Sequence, residues 1–292
     1  MPIGNQLHNG SSRVQPCPKV GVVAAVGALL LPLSIGACSP EDETTTVPDS
    51  GASASAAAEL PSLPQGSEPF ELDPAEFTTE IDNPYWPMEP GTRWVYREID
   101  EEGQELKVVV VVTSETMEIA NGVMARVVRD VVTEDGELIE DTKDWYAQDA
   151  EGNVWYLGED TAEFENGRLT TRSGSFEAGV DGAQSGIIMP ANPKPGMAYR
   201  QEYYEGEAED NGEILSTNEM AEAPIGHFTN VLMTKDTDAL EPKVLEYKLY
   251  AKGVGPVLVV QVSGGSGREE LVKMDRVGAK VGLGPLGSAR GM

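Results

Sequence analysis

Turn dipeptides recur along the middle of this chain at intervals that fit one strand each, and no other feature limits the fold as much. Glu102-Gly103, Asn121-Gly122, Asp135-Gly136, Glu151-Gly152-Asn153, Asn166-Gly167 and Asn211-Gly212 stand between β-branched or aromatic runs. From Gly103 to Gly167 the glycines fall 19, 14, 16 and 15 residues apart. Asn-Gly and Asp-Gly readily supply the positive φ angles that tight hairpins need. The spacing therefore predicts consecutive antiparallel strands of about ten residues. Residues 108–112 are five valines, which suit a strand buried on both faces. Leu245, Tyr247 and Leu249 alternate with Glu246 and Lys248, the period of a half-solvated strand. Trp94 with Tyr96, and Tyr199 with Tyr203, fall on common faces, and no stretch shows a sustained helical period with caps. The expected class is mainly β: an antiparallel meander of about 10 to 12 strands forming a curved sheet or open barrel, with little helix beyond the signal segment.

The first 37 residues read as an address. No acid precedes Glu41, Arg13 and Lys19 lie ahead of an apolar run from Val20 to Ala37, and the run ends in Ile35-Gly36-Ala37-Cys38. This is an export signal in form. Its end resembles a bacterial lipobox, which implies diacylglyceryl transfer to Cys38 and cleavage after Ala37. The other reading is an uncleaved anchor, but the run is short for a bilayer of about 30 Å and Pro32 interrupts it. The expectation is a signal peptide over 1–37 and attachment to the cell membrane, facing its extracytoplasmic side, through palmitate-type acyl chains on Cys38. Cys17 leaves with the leader, so no disulfide remains and the fold must rest on its apolar core.

Residues 38–69 hold scarcely any large apolar side chain and read as a lipid-anchored disordered linker. The β domain is expected over 70–275, and the Gly-rich residues 276–292 as a flexible tail. Between 173 and 196 the meander breaks into a stretch with five glycines and three prolines that also carries Phe176, Val180, Ile187, Ile188 and Met189. Such a segment is expected to fold over the sheet.

Charge excludes one class of partner. With 49 acidic and 21 basic side chains the formal charge is −28, which repels nucleic acid and anionic head groups. Histidine chemistry also lacks parts: only His227 outlasts the leader, and it reads as a surface or packing residue. Gly282–Gly287 matches G-x-G-x-x-G, but Pro285 and the tail context remove the strand and helix that a dinucleotide needs. No cofactor is expected. Asp149, Glu151 and Asn153 are weak calcium candidates, as are the acids of 205–211, with a solvated hairpin end as the plainer reading. Glu177 and Asp181 could do acid and base work if the fold brought them together in a cleft. Trp145, Tyr146, Trp155 and Tyr156 could supply a stacking wall beside them, and Trp145 and Trp155 with Phe176, Ile187 and Met189 an apolar binding wall; alternatively the rings fill the barrel.

Two stretches carry a resemblance. Asn83-Pro-Tyr-Trp-Pro-Met-Glu-Pro-Gly-Thr-Arg-Trp-Val-Tyr96 contains P-G-x-x-W-x-Y, and Tyr250-Ala-Lys-Gly-Val-Gly-Pro-Val257 resembles a late Y-x-A-x-G-V-G-x-V strand pair. Together they resemble a family of uncharacterised bacterial exported proteins and lipoproteins. Residues 144–149, 152–156 and 178–183 are similar to interior motifs of its high-G+C Gram-positive members. The resemblance implies a β domain and an exported address, and no activity.

These readings combine into a membrane-anchored extracytoplasmic lipoprotein, non-enzymatic, whose domain binds a small or partly apolar ligand or a cell-envelope component beside the 173–196 loop. A carboxylate-based hydrolase using Glu177 and Asp181, or a purely structural envelope protein, are the alternatives.

Overall fold

The computed structural model describes residues 63–100, 102–278, 280–289 and 292; the leader, Cys38 and most of the linker lie outside them. The strands are β1 (Phe77–Thr78), β2 (Thr92–Ile99), β3 (Glu105–Glu118), β4 (Met124–Glu134), β5 (Glu137–Asp149), β6 (Val154–Glu165), β7 (Arg168–Thr171) and β8 (Phe176–Glu177). They continue with β9 (Gln184–Met189), β10 (Ala198–Arg200), β11 (Glu202–Tyr203), β12 (Asp210–Ala223), β13 (Gly226–Asp238), β14 (Leu245–Ala251), β15 (Gly255–Ser263) and β16 (Arg268–Arg276). One 3-10 turn at Pro74–Glu76 is the helical element among the described residues.

All strands join one antiparallel sheet, ordered β10-β12-β13-β14-β15-β16-β2-β3-β4-β5-β6-β9-β11, with β1, β7 and β8 on its flanks. Because β16 pairs with β2, the two ends of the meander meet and the sheet curls into a nearly closed barrel with one unsealed seam. The seam lies where β10 pairs with β12 while β11, a single residue further on, pairs with β9. Gln201 thus sits at the point where the chain steps from one lip of the seam to the other.

Hairpin chemistry behaves largely as the sequence predicts. Gly103, Gly122, Gly136, Gly152 and Gly167 all take positive φ. Asn211-Gly212 is a correction: it lies inside β12, and a Cβ on Gly212 would meet the Tyr199 ring at 2.6 Å. The glycine makes room for an aromatic ring and turns nothing. The five valines are all buried, none more than 9% exposed.

The two stretches that carry the family resemblance touch each other. Trp94 Nε1 donates to the Val254 carbonyl at 2.7 Å, Tyr96 Oη bonds the Pro256 carbonyl, and Gly253 N donates to Pro84 O. Their role in this chain is to fasten β2 to the β14–β15 turn.

Both ends of the described chain depart from expectation. Within the supposed linker, Leu63 to Glu68 lie on the seam: Pro64 O accepts from Arg200 N at 2.7 Å, and Gly66 and Glu68 offer carbonyls to Arg200 Nη1. The tail expected to be flexible is instead a strap. Gly282, Gly284 and Pro285 carbonyls accept from the Arg129 guanidinium, and Gly287 N donates to Asp141 Oδ2. Arg129 and Asp141, 0% exposed, form a two-pronged ion pair beneath it with contacts of 2.7 and 2.6 Å. Glycine carbonyls suit this task because no side chain keeps the guanidinium at a distance.

Candidate functional site

A cleft of about 610 Å³ opens beside the 173–183 stretch, with Trp145, Phe176, Glu177, Val180 and Asp181 among its lining residues. Strands β3 to β6, β8 and the turn after it build most of it. Trp145 projects from β5, Val127 from β4 and Met117 from β3, while the turn after β8 brings Val180 and Asp181 over them. Ala120 N donates to Glu177 Oε1 at 2.7 Å, which ties that turn to the β3–β4 hairpin.

A bulge shapes the cleft. Asp144 pairs with Glu159 and Tyr146 with Tyr156, so Leu157 and Gly158 together stand opposite Trp145. At Gly158 φ is +132°, and any Cβ would lie 2.3 Å from the Phe176 carbonyl oxygen, so only glycine fits. The extra residue turns Tyr156 and Glu159 to the same side; bulges commonly re-aim side chains in this way.

Tyr156 Oη then lies 2.8 Å from Asp144 Oδ1 and 2.6 Å from Glu159 Oε2. A phenol has one proton to donate, so it can satisfy one of these contacts. The second contact needs a proton on a carboxyl group. Burial pushes Asp144 and Glu159 upward, and each carboxyl raises the other or is raised by its acidic neighbours. Geometry and burial agree that the pair shares a proton.

That pair belongs to a wider carboxyl chamber inside the barrel. Glu98 and Glu269 face each other across β2 and β16, Asp130 stands on β4, and Glu140 on β5. Glu202 and Asp210 meet across the seam, while Asp236 and Glu246 enter from β13 and β14. Lys248 Nζ lies 3.0 Å from Asp236 and 3.9 Å from Glu246, and it is the cation facing this group among the described residues. Burial first, then mutual repulsion, pushes Glu98 up to about 9 and Glu140 up to about 8. Burial raises Asp130, Glu202 and Glu269 as well. Ten carboxyls around one ammonium cannot all be ionised in so dry a place. At the seam burial raises Glu202, and its contact with Asp210 raises it further while lowering Asp210.

The chamber reverses one expectation. Residues 245–249 alternate as predicted, but Glu246 and Lys248 turn inward with Tyr250, leaving Leu245 and Tyr247 partly exposed. Thr234, Asp236, Gln201 and Lys248 form one connected cluster there, with Gln201 Nε2 and Lys248 Nζ both bonded to Asp236.

The remaining sequence candidates separate cleanly. Trp145 and Phe176 line the cleft with Glu177 and Asp181. Trp155, Ile187 and Met189 do not; they are buried core residues, with Trp155 packed on Phe70 and Phe77. Asp149 is no cation ligand in this arrangement. Its two oxygens accept from Glu151 N, Asn153 N, Asn153 Nδ2 and Trp155 Nε1, and it serves as the cap of its own hairpin. Among the described residues no group of three or more His, Cys, Asp or Glu could hold a metal ion. His227 is exposed on β13 opposite Glu222. Cys38 lies outside the described residues.

Sequence reasoning named Tyr156 as a ring and missed Asp144, Glu159 and the chamber. One signal was present: an acid shares a strand face with buried apolar residues, as with Asp130 between Val128 and Val132.

No family model and no curated protein matches the chain. Two solved structures do. One, described as an exported protein with a YmcC-like fold from Bacteroides fragilis NCTC 9343, is 15% identical with a TM-score of 0.42, covering 66% of this chain and 99% of that one. The other, described as a lipoprotein from Parabacteroides distasonis ATCC 8503, is 14% identical with a TM-score of 0.35, covering 65% and 98%. Neither supports the high-G+C Gram-positive family or its motifs.

Proposed function

We propose that this chain is an extracytoplasmic lipoprotein, held to the membrane through Cys38, whose β domain binds a small, partly apolar ligand in the cleft beside Trp145. One observation carries the binding reading: Trp145, Phe176, Val180, Glu177 and Asp181, distant in sequence, line a single opening of about 610 Å³. An apolar wall with a few placed polar groups is the usual make-up of a small-molecule site. The address rests on the leader and the Ile35–Cys38 motif. Native mass spectrometry of the mature protein released from detergent tests the first part, with a bound mass expected that Trp145→Ala loses. Cys38→Ala tests the second, and should abolish both acyl labelling and leader cleavage.

A hydrolase is the second reading, favoured by the presence in one cleft of Glu177, Asp181 and Glu159, whose carboxyl pKa burial raises. Turnover of aryl glycosides that Glu177→Gln or Asp181→Asn abolishes would establish it in place of the binding role.

A further inference from the structure

The cleft has a sign. Of its charged lining residues, Glu115, Glu159, Asp160, Glu177 and Asp181 are acids and Lys143 is the base. Lys143 is already engaged, 3.5 Å from Glu115, and Asp160 is paired with Arg172. Glu177 takes one backbone N–H, and Asp181 has no ion-pair partner among the described residues. Beside this charge stand Trp145 and Phe176. An aromatic wall among unpaired carboxylates suits a cation on an apolar body, through ring-face attraction as well as charge.

A second observation lies directly behind. Tyr146, 1% exposed, stacks on Tyr156 at 5.0 Å between ring centroids, and its Oη has no hydrogen-bond partner. It faces Asp144 and Glu159, as does Glu202, whose Oε2 is also unpartnered. Neither side chain lines the cleft, but both act electrostatically with Glu159, the one carboxyl of the chamber that does.

We propose that the cleft takes an amphipathic cation, an amine carried on an apolar body, and that Glu159 meets its charge when the Asp144–Glu159 pair gives its shared proton to water. The proposal rests on the reading of the cleft as a ligand site. No covalent bond to the ligand forms. One carboxyl O–H bond breaks, the proton leaves to solvent, and the ammonium takes its place beside the carboxylate. Binding therefore releases a proton and strengthens as pH rises. The groups that face Glu159 and set this balance are Asp144, Glu140 and Tyr146 from β5, Asp130 from β4 and Tyr156 on its own strand. Glu202 from β11 and Asp210 from β12 complete them. β8 contributes the Phe176 ring, 5.6 Å from that of Tyr156.

Titration calorimetry of the mature protein in nonionic detergent, with 4-phenylbutylamine, 4-phenylbutanol and 4-phenylbutyrate as probes, tests this. The amine is expected to bind at least tenfold more tightly than the alcohol, and the carboxylate not at all. Affinity for the amine should rise three- to tenfold from pH 6 to pH 8, with a heat that differs between phosphate and Tris buffers. Glu159→Gln should remove the buffer dependence. Should that variant fail to fold, Tyr156→Phe keeps the ring and removes a hydrogen bond that lowers both carboxyls, so amine binding at pH 7 should weaken several-fold. Equal binding of amine and alcohol overturns the cationic ligand and leaves the cleft reading standing. Heats independent of buffer overturn the proton release. Amine binding untouched by Trp145→Ala places the site elsewhere, and no binding by any probe overturns the proposal together with the cleft reading.

Discussion

Arg129 and Arg200 each hold irregular chain against the barrel by donating to main-chain carbonyls, but only Arg129 has a carboxylate to match its charge. Arg129 is gripped by both oxygens of Asp141 and reaches the C-terminal strap through Gly282, Gly284 and Pro285. Arg200, 1% exposed, gives Nε and Nη2 to the Ser185 carbonyl and Nη1 to Gly66 and Glu68. Burial lowers its pKa. The strap is thus closed by a paired charge, and the seam by an unpaired one that leans on carbonyl dipoles. The contrast teaches that this barrel has a firm side and a weak side, and that the weak side is where residues 63–68 lie.

The largest effect should come from unpairing the firm side. Arg129→Met leaves Asp141 buried without its partner, and unpairing of this kind costs about 3–5 kcal/mol. Urea unfolding should register that loss, and hydrogen exchange should show residues 280–289 exposed while the seam keeps its protection. Adding Asp141→Leu removes the stranded charge and should recover most of the loss, since apolar replacement of a buried pair is often close to neutral. A double variant no better than the single would mean that strap carbonyls, and not charge, hold the tail.

pH separates the two sides next. Folded Glu98 and Glu140 keep their protons up to about 9 and about 8, whereas unfolded glutamates lose theirs near about 4.3. Between those values the folded chain binds more protons, so each rise in pH weakens it. Nothing is lost below that window, and the penalty is complete above it. Stability should be greatest near pH 4 to 5, with a melting temperature lower by on the order of 10 °C at pH 8, equivalent to roughly 3 kcal/mol for a domain of this size. Exchange at 200–204 and 184–186 should rise along with pH, because burial and Asp210 raise Glu202 there as well. A melting temperature that climbs from pH 5 to pH 8 would refute the proton-bearing chamber. Smaller again is Arg200→Gln, expected to cost about 2 kcal/mol through carbonyls left without donors, with exchange rising at 63–68 and 184–189 and unchanged at 282–287.

The strands were legible because their cues are local. Asn121-Gly122 and Asp135-Gly136 carry their turn preference in two residues, and Val108–Val112 carry a preference for double-sided burial. What covers Val111 is not local: Gly282 of the strap, beside it, lies 171 residues further along the chain, and the strap's Gly-rich composition reads as freedom until Arg129 is placed beneath it. The cleft was half legible for the same reason. Trp145, Phe176, Glu177 and Asp181 could be named from their types, whereas Asp144 and Glu159 look like solvated strand residues. Only closure of the sheet turns that face inward, which is also why Glu246 and Lys248 point the opposite way from the usual pattern.

The smallest prediction isolates packing in the strap from backbone preference. Gly282 and Gly136 share a φ of +83°, a conformation that an L side chain adopts at a cost of about 1 kcal/mol. At Gly136, in the β4–β5 hairpin, a Cβ would have nothing within 4 Å. At Gly282 it would stand 3.1 Å from Thr113 Cγ2 and 3.6 Å from both Arg129 Cβ and Val111 Cγ1. Gly136→Ala therefore measures the backbone alone, and Gly282→Ala measures the backbone plus the fit of the strap. Urea midpoints should place Gly282→Ala lower by about 0.5–1 kcal/mol beyond Gly136→Ala. Equal losses would mean that the strap gives way by a few tenths of an ångström, and that the firm side owes its firmness to Asp141 and Arg129 more than to close packing.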